Sequence, residues 1–275
     1  SSIVTARPAL DVKKSGPNAG LEIPYDPALI IRAQSLLLED ADKLSASRPY
    51  RFDLVDVQRQ MMTNLGQLIH RKAAEAFRSK DREAFTLHSG RFLGMLADMD
   101  TLLRTRSEYS FDRWLTEARS WGETEEEKNQ MERDATSLVT IWGADGDPHI
   151  FDYSWREWAG LINGYYLPRW QKFYTMLQQH LDEGTSYEEA GLPQIYGRET
   201  FRANDFYHAL AEWELSYVDT YGKARIPATE GDEIDIVKRL FKKYFKLSQE
   251  YYTDSIKLIK PSRDERTYEN LGEDL

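Results

Sequence analysis

The side chains of this sequence that could bind a metal, move a proton or attack an electrophile are five histidines, 46 carboxylates and no cysteine. His70, His88, His149, His180 and His208 include no pair four residues apart, the spacing that sets two imidazoles on one helix face around a metal. Glu212 follows His208 at that spacing, but two ligands do not make a site, so no metal and no cofactor is expected. The histidines read as structural, with His149, placed in a Gly- and Pro-rich loop, the one to watch. Without cysteine there is no thiolate nucleophile, disulfide, iron–sulfur cluster or cysteine-ligated zinc. No Gly-x-Gly-x-x-Gly, Walker loop or Gly-x-Ser-x-Gly occurs, which leaves nucleotide and serine-hydrolase chemistry unsupported. With 46 carboxylates some pair must fall close by chance, so abundance alone does not indicate the paired acids of a glycosidase.

The informative side chains are aromatic. Six of the seven tryptophans, Trp114, Trp121, Trp142, Trp155, Trp158 and Trp170, crowd into one stretch with Phe151, Tyr153, Tyr165 and Tyr166. Trp158, Leu161, Tyr165, Arg169 and Phe173 recur at helical spacing and read as core packing. Trp142 differs, because it ends a helix and opens a glycine-rich loop. Its indole either closes the bundle or faces outward, where a flat ring with a polar handle suits the C–H face and hydroxyls of a sugar.

The elements that must hold these rings are helices. Asp26-Pro27 is an N-cap with proline in the first turn, and a helix is predicted to about Leu44. Pro49 restarts the chain, and Leu54, Val57, Met61, Leu65, Leu68 and Ala76 keep one stripe over a long amphipathic helix. A third helix begins near Asp81 with Phe85, Phe92, Leu96, Met99 and Leu103, and a short one follows Ser110. Thr124 and Glu127 form a capping box for a helix to about Thr140, with the acidic run Glu123–Glu127 at the positive end of its dipole. Trp142 to Asp152 must leave regular structure. Helical spacing resumes from Tyr153 to about Leu181, with Pro168 kinking or dividing it. Two more helices are predicted near Asn204–Tyr221 and Asp232–Glu250.

Period-two alternation is essentially missing, so the fold class is all-α, an irregular bundle of seven to nine amphipathic helices. Residues 1–25, rich in Pro and Gly, read as an entering strap, 26–260 as a single all-α domain and 261–275 as a polar C-terminal tail. No apolar run approaches the roughly 20 residues of a membrane span. The formal charge of -10 argues against a nucleic-acid partner. A first residue of Ser1 and no leader pattern suggest a removed signal or a piece of a longer chain.

Particular residues then resemble a known family. Arg7-Pro8, Tyr25-Asp26-Pro27, Tyr50-Arg51-Phe52-Asp53-Leu54-Val55-Asp56, Ile141-Trp142-Gly143, Asp152-Tyr153, Trp158-Ala159-Gly160-Leu161 and Tyr165-Tyr166-Leu167-Pro168-Arg169-Trp170 are similar to the C-terminal helical domain of the α-N-acetylglucosaminidases, glycoside hydrolase family 89. The resemblance implies a part of an exo-acting retaining glycosidase that removes terminal α-linked N-acetylglucosamine and is exported or lysosome-like. It implies that both catalytic glutamates belong to a (β/α)₈ barrel elsewhere in the same polypeptide, so that no catalytic residue lies in this chain and the chain alone is inactive. It further implies that Trp142, Ile150 and Tyr153 wall one side of the sugar pocket, with Arg169 a brace. The competing expectation is a freestanding helical module that binds carbohydrate or protein.

Overall fold

The computed structural model describes residues 2–17, 19–142, 151–187, 189, 204–220 and 231–252. Among them are nine α-helices and one small sheet, an all-α architecture as the periodicity predicts. Most helices begin where a short polar side chain takes up N–H groups that the first turn leaves open. Asp26 does this for α1 (Pro27–Glu39), with α2 (Ala41–Leu44) continuing beyond Asp40. Ser47 caps α3 (Arg48–Arg78), Asp81 caps α4 (Arg82–Leu103) and Ser110 caps α5 (Phe111–Arg119). Thr124 and Glu127 make the reciprocal capping box of α6 (Glu125–Val139). After α7 (Leu167–Glu183) and α8 (Asp205–Thr220), Asp232 accepts from Ile234 and Asp235 to start α9 (Glu233–Tyr251).

The spine is the antiparallel pair α3 and α4; α3 alone is about 46 Å long at 1.5 Å per residue. The predicted stripes are the buried ones: Leu54, Met61 and Leu65 on α3, and Phe85, Phe92, Leu96, Met99 and Leu103 on α4. Gly66 lets the two helices approach, since a Cβ there would stand 2.6 Å from Met95 Cε. α7 packs Trp170 into this seam, its ring 4.7 Å from Phe92 and 4.8 Å from His70 in edge-on contacts. Residues 2–10, at the start of the predicted strap, are buried throughout. The Trp170 indole N–H donates to Val4 O at 3.3 Å. Beyond them the chain turns back through the antiparallel strands β1 (Lys14–Ser15) and β2 (Ala19–Gly20).

The helix predicted from Tyr153 starts later. Residues 153–160 carry helical spacing but make tertiary bonds instead: Ala159 N–H donates to Tyr109 O at 2.8 Å and Phe111 N–H to Ala159 O at 3.1 Å. Asp100, buried on α4, then caps the new helix from a distance, accepting from the N–H groups of Gly160 at 2.7 Å and Asn163 at 3.1 Å. The break expected at Pro168 takes the form of a π turn, Ile162–Tyr166, in which Leu167 N–H reaches back five residues to Ile162 O. The wider turn suits a proline, whose ring would crowd the carbonyl four residues earlier and whose nitrogen has no proton to give it. The predicted tail, 261–275, lies outside the described residues.

Candidate functional site

At the exit of α6 the chain does two things that ordinary residues resist. Trp142 and Asp152, the residues on either side of 143–151, both adopt left-handed backbone angles, φ 47° and 57°. Asp tolerates this region, whereas a tryptophan there costs about 1 kcal/mol or more and must be held by its surroundings. The hold is visible: Trp142 N–H donates to Ser137 O and Asp152 N–H to Thr140 O, each at 2.7 Å, so both ends of the loop are tied to the last turn of α6. Of the sequence-predicted site residues, Trp142 is half-buried and Tyr153 is 47% exposed. Their ring centroids are 4.7 Å apart at 42°, making one outward-facing aromatic pair. Ile150, the third, lies outside the described residues, as does His149.

Beneath the pair the chain alternates inward. Ile141 and Phe151 are buried with Ala211 and Val218 of α8. Asp152 is wholly buried and begins a chain of charges from four distant segments. Arg169 Nη1 of α7 donates to Asp152 Oδ2 at 2.8 Å and to Glu214 Oε1 of α8 at 2.9 Å. The Arg169 Nη2 donates to Thr5 O at 2.9 Å. Glu214 also receives Arg7 Nη2 at 2.5 Å and Nε at 3.2 Å, while the Arg7 guanidinium covers the Phe151 ring at 4.2 Å. All four charged side chains have no exposed surface. Among the described residues two cations and two anions balance, which is the condition under which buried charge is tolerated. Burial nevertheless pushes the Asp152 carboxyl up, to about 6; Arg169 opposes the rise and Glu214 adds to it. Arg169 is thus a brace, as the sequence suggests. The β1–β2 turn presses on the same point: Gly16 has φ 72°, and a Cβ there would lie 2.5 Å from Asp152 O.

Such a face can stack on a ring; among the described residues at its base the one carboxylate, Asp152, is sealed underneath. Among the described residues no three His, Asp or Glu side chains converge as metal ligands. Of the other aromatics, Trp170, Tyr165 and Tyr166 are core, whereas Trp121 at the start of the α5–α6 turn is 82% exposed. Sequence reasoning gave no role to Asp152, Arg7 or Glu214; the first two sit inside the stretches that carry the resemblance, and Glu214 carries no local signal.

A family model described as the alpha-N-acetylglucosaminidase (NAGLU) C-terminal domain matches residues 1–243. The chain belongs to that family. The human alpha-N-acetylglucosaminidase is similar to it, 30% identical over 247 residues, which are 89% of this chain and 30% of the human protein. Two solved structures of a family 89 glycoside hydrolase from Clostridium perfringens are similar at 26% identity. One, in complex with PUGNAc, has a TM-score of 0.74 over 88% of this chain and 26% of that one. The other, in complex with its substrate GlcNAc-alpha-1,4-galactose, has a TM-score of 0.75 over 91% of this chain and 27% of that one. The chain therefore spans less than a third of the relatives it matches.

Proposed function

We propose that this chain is an accessory domain of a larger, exo-acting retaining glycosidase that removes terminal α-linked N-acetylglucosamine. Trp142, Ile150 and Tyr153 wall one side of the sugar pocket, and a (β/α)₈ barrel of the same polypeptide supplies the two catalytic carboxyls. The observation that carries this reading is the Trp142–Tyr153 pair, set outward on a loop base tied to α6. Orientation energy is what such a wall can supply; proton transfer is not. Met131 (38% exposed) and Leu138 (43%), seven residues apart on one face of α6, suit a surface that a second module covers.

The test is Trp142→Ala in the full parent polypeptide with a chromogenic α-N-acetylglucosaminide. Loss of an aromatic contact worth about 1.4 kcal/mol raises KM about tenfold. The 275-residue chain alone is expected to release no sugar. An unchanged KM, or catalytic hydrolysis by the chain alone, overturns the reading.

A further inference from the structure

Asp152 stands out among the buried groups because so much converges on it and half of it remains unused. Its amide ties the loop to α6, its backbone turns left-handed so that Phe151 points in and Tyr153 out, and its Oδ2 takes the Arg169 guanidinium. Oδ1 is buried with no hydrogen-bond partner. Arg169 is itself held by Glu214, and Glu214 by Arg7, so the strap, α7 and α8 all bear on this one carboxylate. The π-turn rings Tyr165 and Tyr166 complete the enclosure, with Arg169 Cζ 4.5 Å and 5.1 Å from their centroids.

We propose that Asp152 is the positioning residue of the sugar wall: its ion pair with Arg169 fixes the angle at which the adjoining Tyr153 and, across the loop base, Trp142 stand. This rests on the pocket-wall reading above. The carboxylate acts through those rings and touches no substrate. Its removal therefore acts on binding of the sugar and leaves bond cleavage to the other module. Because burial lifts its protonation to about 6, the wall is held firmly above that pH and loosens below it, as Arg169 loses one of its two anions. Among the described residues, the charged and titratable groups facing Asp152 are Arg169, Glu214, Arg7, Tyr165 and Tyr166; both tyrosines are pushed upward by burial and stay neutral here.

Asp152→Asn tests this with little change of backbone, since Asn accepts the left-handed region as Asp does. The first arm uses the 275-residue chain in a His149→Gln background, which removes the loop's own imidazole. Trp142 emission is isolated as the difference between this protein and its Trp142→Phe variant, from pH 5 to 7.5. A transition centred near pH 6 that vanishes in Asp152→Asn is expected. No transition, or one that survives the substitution, overturns the proposal. The second arm uses the parent enzyme. Asp152→Asn should raise KM several-fold with kcat within about twofold, and should add nothing when Trp142 and Tyr153 are both already alanine. A fall in kcat with KM unchanged, or additive effects on KM, overturns it. Failure of the pocket-wall reading looks different: Trp142→Ala leaves KM unchanged while the spectral transition persists.

Discussion

His70 should make this fold sensitive to acid. The ring lies on α3 at 4% exposure, edge-on to Trp170, with Nδ1 2.9 Å from Tyr174 Oη. Burial lowers its pKa from the ordinary 6.5 to about 4, backbone contacts from Ala9 and Leu10 resisting only in part. The folded form therefore keeps the ring neutral at pH values where the unfolded chain takes up a proton. Stability from this group is complete above 6.5 and is lost as pH falls toward 4. At 1.36 kcal/mol per tenfold difference in proton affinity the full loss is about 3 kcal/mol, of which about 2 kcal/mol falls between pH 7 and pH 5. Asp152 works in the opposite sense, because a raised carboxyl pKa means the folded state holds the proton more tightly and gains as pH falls. The assay must therefore isolate the histidine. Urea unfolding followed by circular dichroism at pH 7 and pH 5 is compared between the chain and His70→Asn, which keeps a polar group toward Tyr174. The substitution lowers stability at both pH values by opening space beside Trp170, but the parent chain should lose about 2 kcal/mol more than the variant over that interval. Equal losses in the two proteins would refute the reasoning.

Arg169→Met strips the Oδ2 bond from Asp152 and the donor from Thr5 O, and should cost about 3–5 kcal/mol in the same unfolding assay, while Arg169→Met with Asp152→Asn, which keeps the left-handed backbone and removes the unpaired charge, should recover part of it. Gly16→Ala meets both a left-handed φ of 72° and the carbonyl of Asp152, so a loss of about 1 kcal/mol or more is expected; an unchanged midpoint would mean that the β1–β2 turn does not bear on the loop base.

Helix starts were legible in the sequence because their causes are local. Asp26, Ser110, Thr124 and Asp232 each serve N–H groups two or three residues away, and each stands where polar punctuation meets an apolar stripe. The stretch 153–160 misled because its spacing is helical while its backbone bonds go to Tyr109 and Phe111, contacts that no window of sequence contains. The site divides in the same way. Trp142 was visible as an aromatic at a helix exit. The charge chain under it was not, since Arg7 and Glu214 stand 207 positions apart and a single buried charge leaves no periodic trace.

The five-residue coil Ile162–Tyr166 also decides how this molecule can tolerate shortening. It houses one more amino acid than a regular coil, so excising any one of the five could restore ordinary winding without breaking the rod. The turns downstream would then keep their phase, because the surplus residue is taken up within that one wider turn. Arg169, Trp170, Phe173 and Leu177 would stay in their sockets, and with them the anchorage of the indole more than twenty positions earlier. A one-codon deletion within 162–166 should therefore be better tolerated than one in the regular turns of α7, where it would rotate the following face by about 100°.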